Sequence, residues 1–532
     1  MAPEDPPRRG RRSQPVDPSA SSAARLGAEI RARRLERALT LQELARDIGF
    51  STAHLSAVEL AKAPVSEQFV LACDRALNAG GALLALLPAA VYERASQRHR
   101  NEARRRWGGE LPMPPRRPSP PVFGTTRTEQ HVGLDLSPDA PLAALVRERC
   151  PGARVSRPMP DFGIDWTLML RDNSVTAVQV HPTTTDAEGQ VRVEVRDVPR
   201  LHEFLRTPHR ALLLGVDHDP EPRIYALDAR AVRHQLAERP YADTVLFIPP
   251  AYELDDLTYG MLWAASNLDD CLLADDLALV ESHRKLGPYQ HLPSSEVTRE
   301  VAGDLTNFSH AWLGSAFCAQ HILRNFGRLG DLPLFWTREQ RGEEACTWLL
   351  FSHKLAYLHA TSQYFGSASM VRVFCVPERV VCDSPRFERI LLFLAVALME
   401  AHGVHVQVCT EREYSDVEGF LLAPRRAIVA TWVRADSMWH VDTTVRRPIL
   451  AGFAEVSGHA AAHSVIAAPT STGRLAAFAH YLELDLAWLS HRCMALARQG
   501  CNQLVRPRSR LLAVAGVEAA CASVSRATAS AG

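Results

Sequence analysis

The sequence predicts a multidomain fold in which an all-α N-terminal domain precedes α/β domains. Its 532 residues exceed what one hydrophobic core usually organises. Residues 24–107 place apolar residues at helical spacing, whereas short apolar runs alternate with helical stretches after residue 140. A stretch with six prolines, GGELPMPPRRPSPPVFG at 108–124, separates the two patterns and is typical of a semi-rigid linker.

Composition excludes several classes of protein. The hydrophobic content of 46% and charged content of 23% are those of an ordinary globular chain. Apolar runs such as LLFLAVALM are too short to cross a bilayer, and the first residues, MAPEDPPRRGRR, lack the apolar segment of a secretory signal. Eleven cysteines without a C-x-x-C pair argue against a disulfide framework and a zinc ribbon. We therefore expect a cytoplasmic protein, and the scarcity of lysine among 60 basic residues indicates a GC-rich, bacterial coding sequence.

The net charge of zero hides an uneven distribution. Residues 1–117 contain 20 Arg or Lys and 13 Asp or Glu, whereas the remainder contains 40 and 47. A basic N-terminal region joined to an acidic body indicates a nucleic-acid-binding module with a separate effector region.

Arginine clusters flank the helical segment on both sides. We expect residues 1–22 to be a disordered basic arm, whose candidate DNA contacts are Arg8, Arg9, Arg11 and Arg12. Such an arm can contact phosphates or enter the minor groove. The second cluster, 98–106, is interpreted either as a further phosphate-binding segment or as a solvated helical face.

Residues 23–107 are predicted to form the helical domain. Leu44, Ala45 and Ile48 fall on one helical face, and another apolar pair follows at Leu55 and Val58. Between them, Gly49 can end one short helix and the hydroxyl of residue 51 can cap the next. Two short helices joined by a glycine-containing turn make a helix-turn-helix.

The segment LGAEIRARRLERALTLQELARDIGFSTAHLSAVELAKAPVSEQFVLACDRAL resembles the lambda-repressor-like, XRE-family helix-turn-helix over about residues 25–80. The resemblance implies a double-stranded DNA partner and an Arg34–Glu59 ion pair linking the first helix to the recognition helix. The DNA-binding residues that it implies are Gln42, Ser51, Thr52, Ala53, His54, Ser56 and Ala57. The sequence departs from the family at Leu41, where the family usually has a phosphate-contacting Gln, and at Ala61, where it usually has Gly.

The predicted recognition helix has small side chains. Residues 51–61 contain no Arg, Lys, Gln or Asn, the residue types that make most bidentate contacts with bases. We therefore predict modest base discrimination, with the arginine arms and dimerisation supplying much of the affinity. An antitoxin-like or scaffold protein, whose helix-turn-helix packs against another protein, is the alternative.

Residues 140–265 are predicted to form the first α/β domain. The stretch DFGIDWTLMLRDNSVTAVQVHPTTT resembles a degenerate PD-(D/E)XK nuclease-like fold, in which Asp165 and Gln179 would lie on adjacent strands and form a weak Mg²⁺ site. His181 occupies the position of the family's lysine, and a neutral imidazole does not replace a fixed ammonium. We expect a retired nuclease fold used for binding or dimerisation. An unrelated α/β domain and a Mg²⁺-dependent nuclease directed by the helix-turn-helix remain alternatives.

Residues 296–505 are predicted to form an α/β effector or dimerisation region, followed by a flexible tail at 506–532. The aromatic-rich stretch 330–360 is interpreted as core packing, with a ligand pocket as the alternative. The whole sequence therefore predicts a homodimeric transcriptional regulator with a small-molecule or protein effector. We assign it no catalytic residue, cofactor or metal.

Overall fold

The computed structural model describes residues 22–63, 65–84, 86–87, 140–157, 163–171, 174–186, 189–207, 209–218, 221–238, 245–298, 305–329, 333–366, 370–433 and 438–529. The chain divides into two compact units, 1–129 and 130–532, which are described separately. The first is helical where it is described, and the second contains helices and two sheets. The predicted order, a helical N-terminal region before a mixed region, is therefore confirmed.

The described part of the N-terminal unit includes the helices α1 (Ser22–Glu36), α2 (Leu41–Ile48), α3 (Thr52–Glu59) and α4 (Glu67–Ala76). Their apolar faces meet in a separate hydrophobic core that includes Leu26, Ile30, Leu44, Leu55 and Phe69. Most of this unit's helical stability therefore comes from burial of amphipathic faces, because helices of eight to fifteen residues are marginal alone.

The second unit begins with a mixed sheet and its helices. The strands are β1 (Arg154–Ser156), β2 (Trp166–Arg171), β3 (Ser174–Thr185), β4 (Val191–Glu194), β5 (Arg210–Asp217), β6 (Arg223–Asp228) and β7 (Val245–Ile248). The helices along this stretch are α5 (Ala140–Arg149), α6 (Val198–Phe204) and α7 (Ala229–Ala237). β3 pairs antiparallel with β2 and β4 and parallel with β5, which continues antiparallel to β6.

The second sheet has the order β11-β10-β9-β12-β13-β14-β8. Its strands are β8 (Ser294–Thr298), β9 (Leu334–Thr337), β10 (Val371–Cys375), β11 (His405–Cys409), β12 (Phe420–Ala423), β13 (Arg426–Thr431) and β14 (Met438–Thr444). β9, β10 and β11 run parallel, and the remaining pairings are antiparallel.

The helices of this region are α8 (Asp256–Ala274), α9 (Asp276–Leu286), α10 (Asn307–Leu329), α11 (Gly342–Leu350), α12 (Ser352–Phe365), α13 (Glu378–Asp383), α14 (Arg386–Ala401), α15 (Arg447–Ala462), α16 (Ser471–Tyr481), α17 (Leu486–Gln499) and α18 (Ala515–Ala529). α14 is buried on all sides from Ile390 to Glu400, as expected of a helix that is apolar around its circumference.

Among the described residues, no helix is long and apolar enough to span a membrane.

One hydrophobic core joins the two sheets of the second unit, extending from Val146 to Val524. It includes part of the predicted flexible tail, and that prediction is wrong for residues 515–529. There, α18 packs against α17 and α14, and Val517, Ala520 and Cys521 are almost completely buried. The small Ala and Ser side chains that suggested a loose tail instead allow close packing between helices.

Candidate nucleic-acid interface

Local caps fix the ends of α2 and α3 and the turn between them. Thr40 caps α2 by accepting from the Glu43 backbone N–H, and the Glu43 carboxylate accepts from the Thr40 backbone in return. Gly49 ends α2 with a φ of 75°, a left-handed conformation that glycine adopts without steric cost. Ser51 then accepts from the His54 backbone N–H at 3.1 Å and starts α3. The sequence therefore encodes a helix-turn-helix through local caps.

An ion pair between Arg34 of α1 and Glu59 of α3 holds the second helix of this motif. The Arg34 Nε and Nη2 donate to the two Glu59 carboxylate oxygens at 2.7 and 2.9 Å. Both side chains are less than a tenth exposed, and Arg34 Nη1 also donates to the Leu39 carbonyl. Such a bidentate, buried contact fixes both distance and orientation between two helices. The pairing that the family resemblance implies is thus present.

Close backbone contact supports the same arrangement of α1 and α3. A Cβ atom at Gly27 would lie 2.4 Å from the Val58 carbonyl oxygen, much closer than real Cβ atoms approach backbone. Only glycine therefore allows the two helices to approach this closely.

The DNA-binding residues proposed in the described region all lie on the turn, α2 or α3. Gln42, Ser51, Thr52 and Ala53 are exposed, whereas His54, Ser56 and Ala57 are half-buried. Their opposite face contributes Leu55 and Val58 to the core, so α3 presents small polar and methyl-bearing side chains on its accessible face.

Packing also determines the positions of the His54 and Leu41 side chains. The His54 ring lies 5.0 Å from the Phe69 ring and 6.0 Å from the Phe50 ring, measured between centroids, and therefore supports the turn. Leu41 packs against the core, and the adjacent Gln42 is the exposed amide at this end of α2.

Ala61, two residues beyond the end of α3, is under backbone strain. Ala61 has a φ of 56°, in the left-handed region that an L-residue with a Cβ atom disfavours. The family resemblance implies Gly at this position. The Lys62 and Ala63 backbone N–H groups donate to the Ala57 carbonyl and hold the strained turn in place.

These features together define the motif. Residues 25–87 match the family model for a helix-turn-helix domain. No curated protein and no solved structure shows significant similarity to the chain. The match supports DNA binding by the N-terminal unit and covers the ion pair, both short helices and the proposed recognition face.

The proposed arginine contacts, Arg8, Arg9, Arg11 and Arg12, lie outside the described residues, as does the 98–106 cluster. The sequence nevertheless shows where the basic excess lies. Residues 22–87 contain eight Arg or Lys and seven Asp or Glu, whereas residues 88–117 contain eight and three. Most of the N-terminal positive charge thus follows the helix-turn-helix in the chain.

Asp165 and Gln179, the weak Mg²⁺ alternative, lie on neighbouring chain segments of the first sheet. The Asp165 carboxylate accepts from Arg200 Nη2 at 2.8 Å and from the Val180 backbone N–H at 2.8 Å. The buried Gln179 amide donates to the Gly163 carbonyl, and its oxygen lies 3.1 Å from His181 Nε2. The structure therefore brings the predicted pair together but engages each side chain with protein groups.

This arrangement is poorly suited to a divalent cation. Arg200 neutralises the Asp165 carboxylate and so competes with a cation for it. Burial lowers the pKa of His181, so its neutral imidazole does not supply the fixed positive charge of the family's lysine. Among the described residues, no group of three or more His, Cys, Asp or Glu side chains is placed to hold a metal.

The aromatic-rich stretch 330–360 contains a buried ion pair that was not predicted from the sequence. There Glu339 and Lys354, both almost completely buried, form an ion pair beside a cavity in the second sheet. The available signal was Lys354 itself, because a lysine between the apolar runs WLLF and LAYL is unusual in a chain with so few lysines.

Proposed function

We propose that the protein is a sequence-specific, XRE-type transcriptional regulator in the bacterial cytoplasm. The observation that carries the proposal is the helix-turn-helix, in which the Arg34–Glu59 pair positions α3 and leaves its small-residue face accessible. α3 enters the major groove, where Thr52 and Ala53 contact base edges or a thymine methyl.

Affinity and specificity come from different parts of the N-terminal region. Small side chains discriminate less than a bidentate Arg or Gln, so α3 contributes moderate specificity. Residues 22–87 have a nearly balanced charge, and the arginines of 1–22 and 88–117 provide most of the phosphate contacts. DNA binding is therefore strongly salt-dependent.

The proposed regulator acts as a homodimer and responds to an effector. A two-fold dimer places two recognition helices on half-sites about one helical turn apart, or a multiple of that distance. The second unit supplies dimerisation and effector binding. An effector changes the DNA affinity only if it binds one dimer geometry more tightly than the other.

Genome-wide DNA enrichment with the full chain tests this proposal at low and at physiological salt. Ala53→Glu places a negative charge on the proposed recognition face and should abolish enrichment of a common motif. Leu35→Glu is the matched control, because it adds the same charge at an exposed position of α1. Equal enrichment by both variants would reject α3 as the recognition element.

The same protein preparation distinguishes the two rival functions. Plasmid cleavage in Mg²⁺ that Asp165→Ala removes would identify a nuclease. Failure to enrich any sequence at either salt concentration would favour a scaffold or antitoxin-like protein, whose helix-turn-helix packs on a protein partner.

A further inference from the structure

A cavity beside the first sheet is lined mainly by arginines. It lies where the start of β5, the start of α7 and the chain segment 506–508 meet, and its volume is about 160 Å³. A cavity of about 150 Å³ can hold benzene, so a phosphate group, which is smaller, fits this space. The arginines of its described lining, here called the arginine cluster, are Arg210, Arg230, Arg233, Arg506 and Arg508.

Arg210 is the most deeply buried member of the arginine cluster and has donors that meet no acceptor. Its side chain is 3% exposed, and its Nη2 donates to Asp269 Oδ2 at 2.8 Å. Its Nε and Nη1 are buried and have no hydrogen-bond partner among the described residues. Because a buried donor without an acceptor is unfavourable, this guanidinium favours a ligand that brings acceptor oxygens.

Two aspartates of α8 hold the inner part of the arginine cluster in place. Besides Arg210, Asp269 accepts from the Arg508 backbone N–H at 3.0 Å and from Arg508 Nε at 3.2 Å. Asp270 accepts from Arg508 Nη2. These contacts fix β5 and the segment around 508 to α8, and they pair two of the arginines with two carboxylates.

The outer three arginines line the same space without a paired carboxylate. Arg230 Nη1 donates to the Pro507 carbonyl at 3.5 Å, and Arg233 Nη2 donates to the Leu205 carbonyl. Neither of these arginines, nor Arg506, forms an ion pair within 4.0 Å with a described carboxylate. A carbonyl oxygen can position a guanidinium group, but it does not neutralise the charge.

The remaining acid of the described lining balances only part of this charge. Asp228 supplies one negative charge, and its Oδ1 caps α7 by accepting from the Arg230 backbone N–H at 2.8 Å. The described lining residues and their ion-pair partners thus include five arginines and three aspartates, an excess of two positive charges. Residue 208, the undescribed neighbour of these residues in the chain, is a proline and adds no charge.

We propose that this cavity binds the terminal phosphate of a small phosphate monoester, whose oxygens accept from the arginine cluster. Guanidinium forks match the geometry of phosphate oxygens. A monoester brings close to two negative charges near neutral pH, whereas a carboxylate or a DNA phosphodiester brings one. A phosphodiester also continues on both sides of the phosphorus, so an open groove suits it better than a cavity of this size. The identification of the monoester as the effector rests on the proposed regulatory function, but the binding site itself does not.

Ligand charge provides the first test on the full-length wild-type protein. Glycerol 3-phosphate and inorganic phosphate are titrated by calorimetry at constant ionic strength, with acetate as the monoanionic control and glycerol as the neutral control. Glycerol 3-phosphate should bind, and acetate and glycerol should bind at least about 10-fold more weakly. Absence of phosphate binding up to about 10 mM, or equal binding of acetate, overturns the proposal. Binding of inorganic phosphate alone would restrict the site to the free ion and overturn the assignment to a monoester.

Matched single variants locate the binding site. Arg230→Gln and Arg506→Gln each remove one outer arginine and should weaken glycerol 3-phosphate binding about 10- to 100-fold. Both leave the Arg210–Asp269 pair intact, so the inner part of the cluster keeps its contacts. Arg510→Gln is the control, because it removes the same charge from an exposed position outside the described lining, and it should change the affinity less than about 2-fold. Equal effects of all three variants overturn the location of the site.

DNA binding by the same proteins separates this proposal from the regulatory one. Binding of glycerol 3-phosphate without DNA enrichment would support the site and reject the regulator. DNA enrichment without phosphate binding would reject the site and leave the regulator intact. A weaker salt dependence of DNA affinity in Arg230→Gln, without binding of either phosphate, would assign the arginine cluster to the DNA backbone and overturn the proposal.

Discussion

Removal of the Glu59 carboxylate should strongly destabilise the N-terminal unit while leaving the stability of the second unit unchanged. In Glu59→Ala, the Arg34 guanidinium stays buried and keeps only the Leu39 carbonyl among its observed partners. Breaking a buried ion pair from one side costs roughly 3–5 kcal/mol. A domain of this size has a total stability of roughly 3–9 kcal/mol, so from about one third to all of it would be lost.

Hydrogen exchange measured by mass spectrometry on the full chain reports this loss locally. Protection of core amides in α1 and α3 should fall roughly 150- to 5,000-fold, the equivalent of that free energy. Amides of α14 in the second unit should keep their protection, because that unit has its own core.

Two further variants identify the cause. Arg33→Ala breaks the partly exposed Glu29–Arg33 pair on the same helix and should cost less than about 0.5 kcal/mol after solvent screening. The double variant Arg34→Met, Glu59→Met removes both charges and should recover much of the stability. The assigned role of the ion pair would be refuted if Glu59→Ala lowered the free energy of unfolding by less than about 1 kcal/mol, or if the double variant recovered none of it.

Three other changes give independent tests. Ala61→Gly should relieve the left-handed backbone strain and stabilise the N-terminal unit by roughly 0.5–1 kcal/mol. The control Ala57→Gly, within α3, should lower the stability of this unit by about the same amount. If hydrogen exchange shows that both variants are less stable than the wild type, Ala61 is not strained. Replacing the three arginines at 104–106 with Gln should reduce the magnitude of the slope of log DNA affinity against log salt concentration by about 3. The preferred DNA sequence should not change. An unaltered slope would exclude phosphate contacts by these arginines. Burial lowers the pKa of His353 to about 3, so its contribution to stability is complete above pH 6.5 and is lost as the pH falls towards 3. The free energy of unfolding, measured in urea by tryptophan fluorescence, should therefore fall less steeply between pH 6.5 and 4 in His353→Asn than in the wild type. Identical pH dependence in the two proteins would argue against a neutral buried imidazole.

The short-range features of the N-terminal unit could be predicted from sequence. Gly49 and Ser51 define the end of α2 and the start of α3 because their effects act within one helical turn. The apolar spacing of Leu44, Ile48 and Leu55 likewise identified core positions. The pairing of Arg34 with Glu59 spans 25 residues and came from the family resemblance, since no local pattern encodes it.

Long-range placement explains what the sequence did not predict in the second unit. β9 lies between β10 and β12, so strand order does not follow chain order. That order brings Arg372 beside Phe335 and places both near Lys354, which lies on a helix. Arg372 lies within an apolar run and Lys354 follows one, so the pattern predicts core packing. Only the three-dimensional arrangement shows that these two buried cations lie beside the same Trp348 ring.

The distribution of charge also determines how an effector can control the proposed regulator. α3 presents small side chains, and residues 22–87 have nearly equal numbers of acidic and basic residues, so the proposed regulator would make few strong DNA contacts through residues 22–87 of one subunit. Two modules joined in a dimer bind together only where their separation matches two half-sites. A ligand in the second unit therefore need not alter α3. It regulates DNA binding if it favours a dimer geometry with a different module separation, and the individually weak modules make binding sensitive to that change.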